Sequence, residues 1–300
     1  MQRLIVYCIV AFISVSAPFS YGTAQDTNPL FKEGRVKNYM PHMSWYEVDQ
    51  ALKTTDMAII PVGSIEQHGK HLPLCTDTYA AIERMKLLAQ KTDVLVAPAV
   101  FAGLSEHHMG FPGTLTLSPA TFEAVVFECA ESLIRHGVRK IMIFNGHGGN
   151  SASVANIIQR INQETEASAV SLNDIQVPDE QETEAIPFDW HAGVNETASM
   201  LYLTPGLVDM NLAEKPVLTL PEIVERVNRS GNENIQAVSS TFLFRPLSTG
   251  KKGSSREMSN IGVFTSGDPR TATAELGKKR IDAFIDAAVE FIEAWKAIDK

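Results

Sequence analysis

The 300-residue chain predicts an α/β fold, with a mainly parallel central sheet covered by helices on both faces. Three observations carry that reading. Short apolar runs alternate along the chain with longer amphipathic stretches, the order that parallel strands and crossover helices require. A composition of 44% hydrophobic and 20% charged residues is that of a chain able to bury one sizeable core. No internal repeat divides it, so one domain over residues 25–300 is expected.

The elements follow in order. Residues 1–24 read as a secretory signal peptide: Arg3, an apolar run from Leu4 to Val15, then small and polar residues through Ser20, Gly22, Thr23 and Ala24. The apolar run is too short to span a bilayer comfortably, so a secreted or periplasmic mature chain without stable membrane association is expected. Strands are expected at Met57–Val62, Val94–Val100, Lys140–Phe144 and Ala169–Leu172. Helices are expected at Thr78–Gln90, Ser118–His136, Asn150–Glu166, Glu196–Leu203 and Ala272–Ala297. The second of these carries its own punctuation, with Ser118 as N-cap, Pro119 at the first helical position and Gly137 as the stop. Between Pro221 and Gly267 the pattern lapses into a polar, glycine-rich stretch with a Phe242-Leu243-Phe244 patch, read as a lid or an oligomer contact.

Charge narrows the partners. A formal net charge of -9 without a Lys/Arg stripe excludes nucleic acid, whose affinity comes mainly from neutralised phosphates. Beyond the signal only Cys75 and Cys129 remain, so no disulfide framework holds the fold, and whether these two pair is open.

Chemistry concentrates at two strand ends. Residues 61–77, P-V-G-S-I-E-Q-H-G-K-H-L-P-L-C-T-D, put Glu66, His68, His71 and Asp77 into one segment directly after the first strand. Imidazole nitrogens and carboxylate oxygens are the ordinary donors for a zinc-like cation. The second half of such a site is His147 in Phe-Asn-Gly-His-Gly-Gly-Asn at 144–150, again between an apolar strand and a helix. The competing reading for Glu66 and Asp77 is helix capping or pairing with lysine. That loop lacks the lysine of a P-loop and the spacing of a dinucleotide fingerprint. No Gly-x-Ser-x-Gly elbow appears, so a serine nucleophile of that type is not expected.

Five blocks in a fixed order resemble the creatininase (creatinine amidohydrolase) family: Pro61–Asp77, Gly110-Phe-Pro-Gly-Thr114, Asn145-Gly-His-Gly-Gly-Asn150, His191-Ala-Gly-Val-Asn-Glu-Thr197 and Gly267-Asp-Pro-Arg-Thr-Ala272. The resemblance implies a three-layer α/β/α sandwich with a metal centre at the carboxyl ends of the strands. It implies hydrolysis of a C–N bond, other than a peptide bond, in a small cyclic or open amide. A homo-oligomer, often a hexamer, is implied as well. Glu66, His68, Asp77 and His147 become metal ligands, with Asp77 bridging two ions. The family's further acid, two residues after the loop histidine in creatininase itself, falls here on Gly149, which leaves the second ion and creatinine as substrate open. Glu196 is then the replacement ligand, against the alternative of a carboxylate that only stabilises a helix N-terminus.

His191 and Glu196 are the candidate catalytic proton carriers, with a structural loop histidine as the alternative for His191. His71 braces the ligands rather than joining them, and His107 and His108 line the pocket. Cys75 stands where the family usually has glycine and reads as an inert buried thiol. The cofactor is one or two divalent ions per chain, zinc foremost, with manganese or iron(II) as alternatives. Two other functions stay open: a lactone or sugar-ring hydrolase on the same metal set, and a secreted binding protein without turnover.

Overall fold

A computed structural model describes residues 35–177, 186, 188–220, 222–232, 234 and 255–298. The signal peptide expected at 1–24 lies outside the described residues, as does the middle of the expected lid, 235–254. Among the described residues no helix is long and apolar enough to cross a membrane.

The chain enters through α1 (Trp45–Ala51), which sequence periodicity did not single out because only a capping box marks it. The Ser44 side chain accepts from the Glu47 N–H and the Glu47 side chain reaches back to the Ser44 N–H. Then come β1 (Met57–Val62), α2 (Thr76–Lys91), β2 (Leu95–Val96), α3 (Pro119–Arg135), β3 (Lys140–Asn145), α4 (Ser151–Glu164) and β4 (Ser168–Ser171). They are followed by β5 (Asp189–His191), α5 (Val194–Leu203), α6 (Glu222–Arg229), β6 (Phe264–Thr265) and α7 (Ala274–Ile298).

The main sheet is four-stranded and wholly parallel, in the order β2-β1-β3-β4. β1 is buried at every position and pairs with β3 over its whole length, from Met57 opposite Lys140 to Val62 opposite Asn145. Its alternate residues serve opposite layers. Ala58, Ile60 and Val62, with Ile141 and Ile143 of β3, pack on Phe122 and Val126 of α3 and Val154 and Ile157 of α4. Met57 and Ile59, with Met142 and Phe144, face Met85 and Leu88 of α2 and Ile281 and Ile285 of α7. A strand clothed on both sides must be apolar at every position, which is why β1 reads as a continuous run. The α/β/α sandwich follows.

Among the boundaries that differ from expectation, two bear on the site, and the stretch expected to be irregular after Pro221 opens with the short helix α6. The strand expected over 94–100 is a two-residue ladder, because Pro98 has no N–H to donate; the chain rejoins β1 only where the Val100 N–H donates to the Pro61 carbonyl at 3.0 Å. Pro61 is tolerated inside β1 for the same reason, since it faces this loop rather than an unbroken ladder. α2 begins at Thr76, so Asp77 belongs to a helical first turn and not to the preceding loop.

The order of connections decides where a site can form. β1 leads to α2 on one face of the sheet and β3 leads to α4 on the other, so the two chains part company between adjacent carboxyl ends. That fork is the crevice in which open α/β sheets bind ligands. A second, antiparallel pair, β5 with β6, adds a wall beside it.

Ser118 caps α3 by accepting the Thr121 N–H at 3.3 Å, and its side chain is not among those that line the site. Ser118→Ala will cost about 1 kcal/mol of stability in urea unfolding, and metal uptake by the folded variant will equal that of the parent.

Candidate metal centre

At the end of β1 the Glu66 N–H donates to the Leu74 carbonyl at 2.9 Å, closing the loop so that Glu66 and His68 turn inward. Both are fully buried. Asp77, in the first turn of α2, lies opposite them, and His147 arrives from the end of β3. Asp77 divides its carboxylate: Oδ1 is 3.0 Å from His68 Nε2 and Oδ2 is 3.1 Å from His147 Nδ1. Glu66 Oε2 lies 3.3 Å from His147 Nε2 and also accepts from the Ser64 hydroxyl at 3.2 Å.

β5 and the start of α5 complete the ring. His191 sits at the end of β5 with Nδ1 3.5 Å from Glu66 Oε1. Asp189 accepts from the N–H groups of Val194 and Asn195, at 3.0 and 2.8 Å, which fastens the start of α5 to β5. The turn between them puts Ala192 in the left-handed region, at φ 51°, where its N–H donates to Glu196 Oε2 at 2.5 Å. Glu196 Oε2 is 3.6 Å from His68 Nε2, and a third of its side chain is exposed.

Five of the six residues expected from the sequence therefore line one cavity of about 170 Å³, whose wall also includes His107, His108, Gly148, Gly149 and Trp190, and the sixth, His68, is buried behind it against Asp77. His71 stands apart from this ring, with Nε2 2.9 Å from the Thr197 hydroxyl of α5. Sequence reading missed Trp190, which sits in a three-residue strand, and Gln67, whose buried amide lies against both His108 and His191. Gln67's only sequence signal is its place between Glu66 and His68.

The electrostatics describe a site that gathers opposite charges. Burial raises the Glu66 carboxyl, to about 7, despite the nearby His147. Burial would raise Asp77 as well, but His68 and His147 hold it well below the usual carboxylate range. For the two histidines burial works downward, and carboxylates overcome it: Asp77 foremost lifts His68 to about 10, and Glu66 foremost lifts His147 to about 9. His108 and His191 go the other way, driven well below their ordinary value by burial and then by neighbouring imidazoles. Cys75 is pushed up by burial and by Asp77, so it remains a thiol at neutral pH and a poor ligand. Cys75 and Cys129 are both free.

The residues fit a divalent cation on two counts. Glu66 Oε1 is a buried carboxylate oxygen that accepts no hydrogen bond, and Asp77 Oδ2, equally buried, has the His147 imidazole beside it but no well-aligned donor, an arrangement that costs several kcal/mol per ion unless a cation stands nearby. Donor atoms of Glu66, His68 and Asp77 lie within 4.8 Å of one another, as do those of His68, His191 and Glu196, and those of Glu66, His107 and His147. The first and third of these share Glu66 and the first and second share His68, an overlap that suits two adjacent ions.

Gly149 explains the missing acid. A Cβ at that position would stand 2.3 Å from His147 Nε2 and 2.6 Å from the Leu104 carbonyl, so no side chain fits there without moving His147. The carboxylate reaches the cavity from α5 instead.

Comparison with known proteins agrees with this geometry. The family described as creatininase, creatinine amidohydrolase, matches residues 41–292. The mycofactocin precursor peptide peptidase of Mycolicibacterium smegmatis is 31% identical over 249 residues, covering 80% of this chain and 85% of the relative. The 3-dehydro-scyllo-inosose hydrolase of Thermotoga maritima is 27% identical over 261 residues, covering 83% and 80%. Among solved structures, creatinine amidohydrolase (creatininase) superposes with a TM-score of 0.66 at 23% identity, covering 86% of this chain and 97% of the other.

Elemental mass spectrometry after zinc loading and dialysis tests the arrangement. We expect about two ions per chain in the parent, about one in Glu196→Ala and less than one in Asp77→Ala. Equal content in the parent and Glu196→Ala would remove Glu196 from the ligand set.

Proposed function

The chain belongs to the creatininase family, and from that premise we propose that it hydrolyses a C–N bond of a small amide with a metal-activated water. It is a metal hydrolase of that family; the amide substrate and the residue roles are the proposal. The observation that carries it is Asp77, which points one carboxylate oxygen at His68 and the other at His147 from between two further acids, Glu66 and Glu196. In this reading Glu66, His68, Asp77, His147 and Glu196 hold two divalent ions. Relatives of the same fold support the choice of metal, having been solved as a manganese creatininase and as a zinc–zinc variant.

Ions held there supply a water of lowered pKa and polarise the scissile carbonyl. The remaining work falls to the protein. Glu196 Oε2, fixed by the Ala192 N–H yet partly exposed to the cavity, takes the proton that the water gives up. His191 then relays it to the leaving nitrogen, since its Nδ1 faces the same space. Gly148 and Gly149 begin the helical turn leading into α4, and the first N–H groups of such a turn have no partner within it, so they can stabilise a carbonyl oxygen gaining negative charge. Trp190, His107 and His108 limit what enters, and about 170 Å³ admits a small molecule or one residue-sized end of a longer one.

The peptidase relative supports C–N hydrolysis but leaves the choice between a peptide and a non-peptide amide to experiment. The inosose hydrolase relative favours a second reading, a lactone or sugar-ring hydrolase on the same residues. Export of the mature chain and assembly into a homo-oligomer stay part of the proposal, resting on the N-terminal residues and the family resemblance.

Zinc- and manganese-loaded protein should be assayed against cyclic amides, short peptides and lactones in parallel. Turnover of an amide, abolished by chelation and lowered about 10²-fold or more in Glu196→Gln, is the expected result. Turnover confined to lactones would favour the second reading, and tight binding without turnover would leave a binding protein.

A further inference from the structure

Gln67 lies between Glu66 and His68, yet its side chain turns away from the metal set. It is 4% exposed, and its amide nitrogen has three polar neighbours: the Gly262 carbonyl at 2.9 Å, His191 Nε2 at 2.9 Å and His108 Nδ1 at 3.0 Å. The amide oxygen accepts the Gly69 N–H at 3.0 Å. That contact fixes which end of the amide is which, because a flipped amide would set two donors against each other. Gly262 makes room for the arrangement: at φ +77°, a Cβ there would fall 1.8 Å from Gln67 Oε1.

Counting hydrogens then leaves one solution. An amide nitrogen carries two hydrogens, and Gly262 O, which can only accept, takes one. His191 Nε2 lies 2.7 Å from the main-chain carbonyl of Gln67, another pure acceptor, so this nitrogen carries its own hydrogen and cannot receive the second from Gln67. His108 Nδ1 must receive it and is therefore bare. The Ser255 hydroxyl, 2.6 Å from the same nitrogen, is a rotor, and its hydrogen shares the single Nδ1 lone pair with the Gln67 amide in a three-centre bond.

We infer that Gln67 is a positioning residue that turns His191 and His108 to the metal cavity in opposite senses, His191 presenting a bare Nδ1 and His108 an Nε2–H. Both nitrogens face the same oxygen, Glu66 Oε1, at 3.5 and 3.4 Å. His191 is thereby ready to receive at Nδ1 the proton that Glu196 gathers and to pass it on, while His108 offers the cavity a hydrogen bond. Gln67 also keeps His108 out of the ligand set, although Glu66, His108 and His191 would by proximity make another group of three donors. This consequence rests on the hydrolase reading; the hydrogen assignment does not.

Imidazole nitrogen spectra of the zinc-loaded full chain, labelled with 15N-histidine and assigned through His108→Asn, test the assignment directly. The parent should show both histidines protonated at Nε2 and bare at Nδ1. Gln67→Glu replaces a donor by an acceptor, so His108 should gain a hydrogen at Nδ1 while His191, held by the main chain, does not change. A parent already protonated at His108 Nδ1, or a His108 pattern unmoved by Gln67→Glu, would overturn the inference. Gln67→Met covers the case in which the glutamate variant does not fold: His108 should then populate both tautomers. On whichever amide the parent turns over, Gln67→Met should lower kcat about tenfold or more with KM and zinc content unchanged. Lost zinc would instead mark Gln67 as merely structural. If the parent turns over no amide, the hydrolase reading fails while the spectra still decide the role of Gln67.

Discussion

Two carboxylates buried between neighbouring strand ends set the terms for the rest of this molecule. Glu66 and Asp77 are removed from water almost completely, and each keeps an oxygen without a well-aligned hydrogen-bond donor. A protein interior tolerates that only when positive charge is close at hand. His68 and His147 supply it as raised-pKa imidazoles, and the same nitrogens, once deprotonated, are free to bind a cation. Thus one arrangement stabilises the ion-free chain and prepares it for cations.

The sheet makes this arrangement possible by sending the crossovers that leave β1 and β3 to opposite faces. Because α2 and α4 leave the fork in different directions, the loop after β1 and the loop after β3 face each other across an open end rather than being covered by a helix. Apolar burial on both sides of β1 and β3 fixes their register along six residue pairs. A one-residue slip would turn Ile60 and Ile143 toward the wrong layer, so core packing also places Glu66 relative to His147.

What the sequence made legible follows its local content. β1, β3, α3 and α4 announced themselves through apolar runs, helical period and the Ser118 cap, and the Glu66 to Asp77 string and the His147 loop stood out because their donors crowd a few positions. β5 and β6 did not, because strands of three and two residues carry no periodicity and their partners lie more than seventy positions apart. Gln67 was invisible for a related reason. Its meaning lies in contacts with His108, His191 and Gly262, and no local pattern encodes an amide that meets three distant segments. Asp77 was read as a loop residue because propensity says little about whether a helix begins at Thr76 or Thr78.

Moving the further acid from the histidine loop to α5 changes what the metal set is attached to. At position 149 a ligand would belong to the rigid junction of β3 and α4. Glu196 belongs to the turn that also holds Trp190 and His191, a turn fastened by Asp189 to α5 and by β6 to the chain beyond the undescribed stretch. That chain reaches the site again through Ser255 on His108 and Gly262 on Gln67. Glu196, the aromatic wall and both neutral histidines are therefore carried by or braced against the same peripheral segments. A change there that reshapes the wall will also move Glu196, so the position of the proposed ligand and the shape of the cavity are mechanically linked.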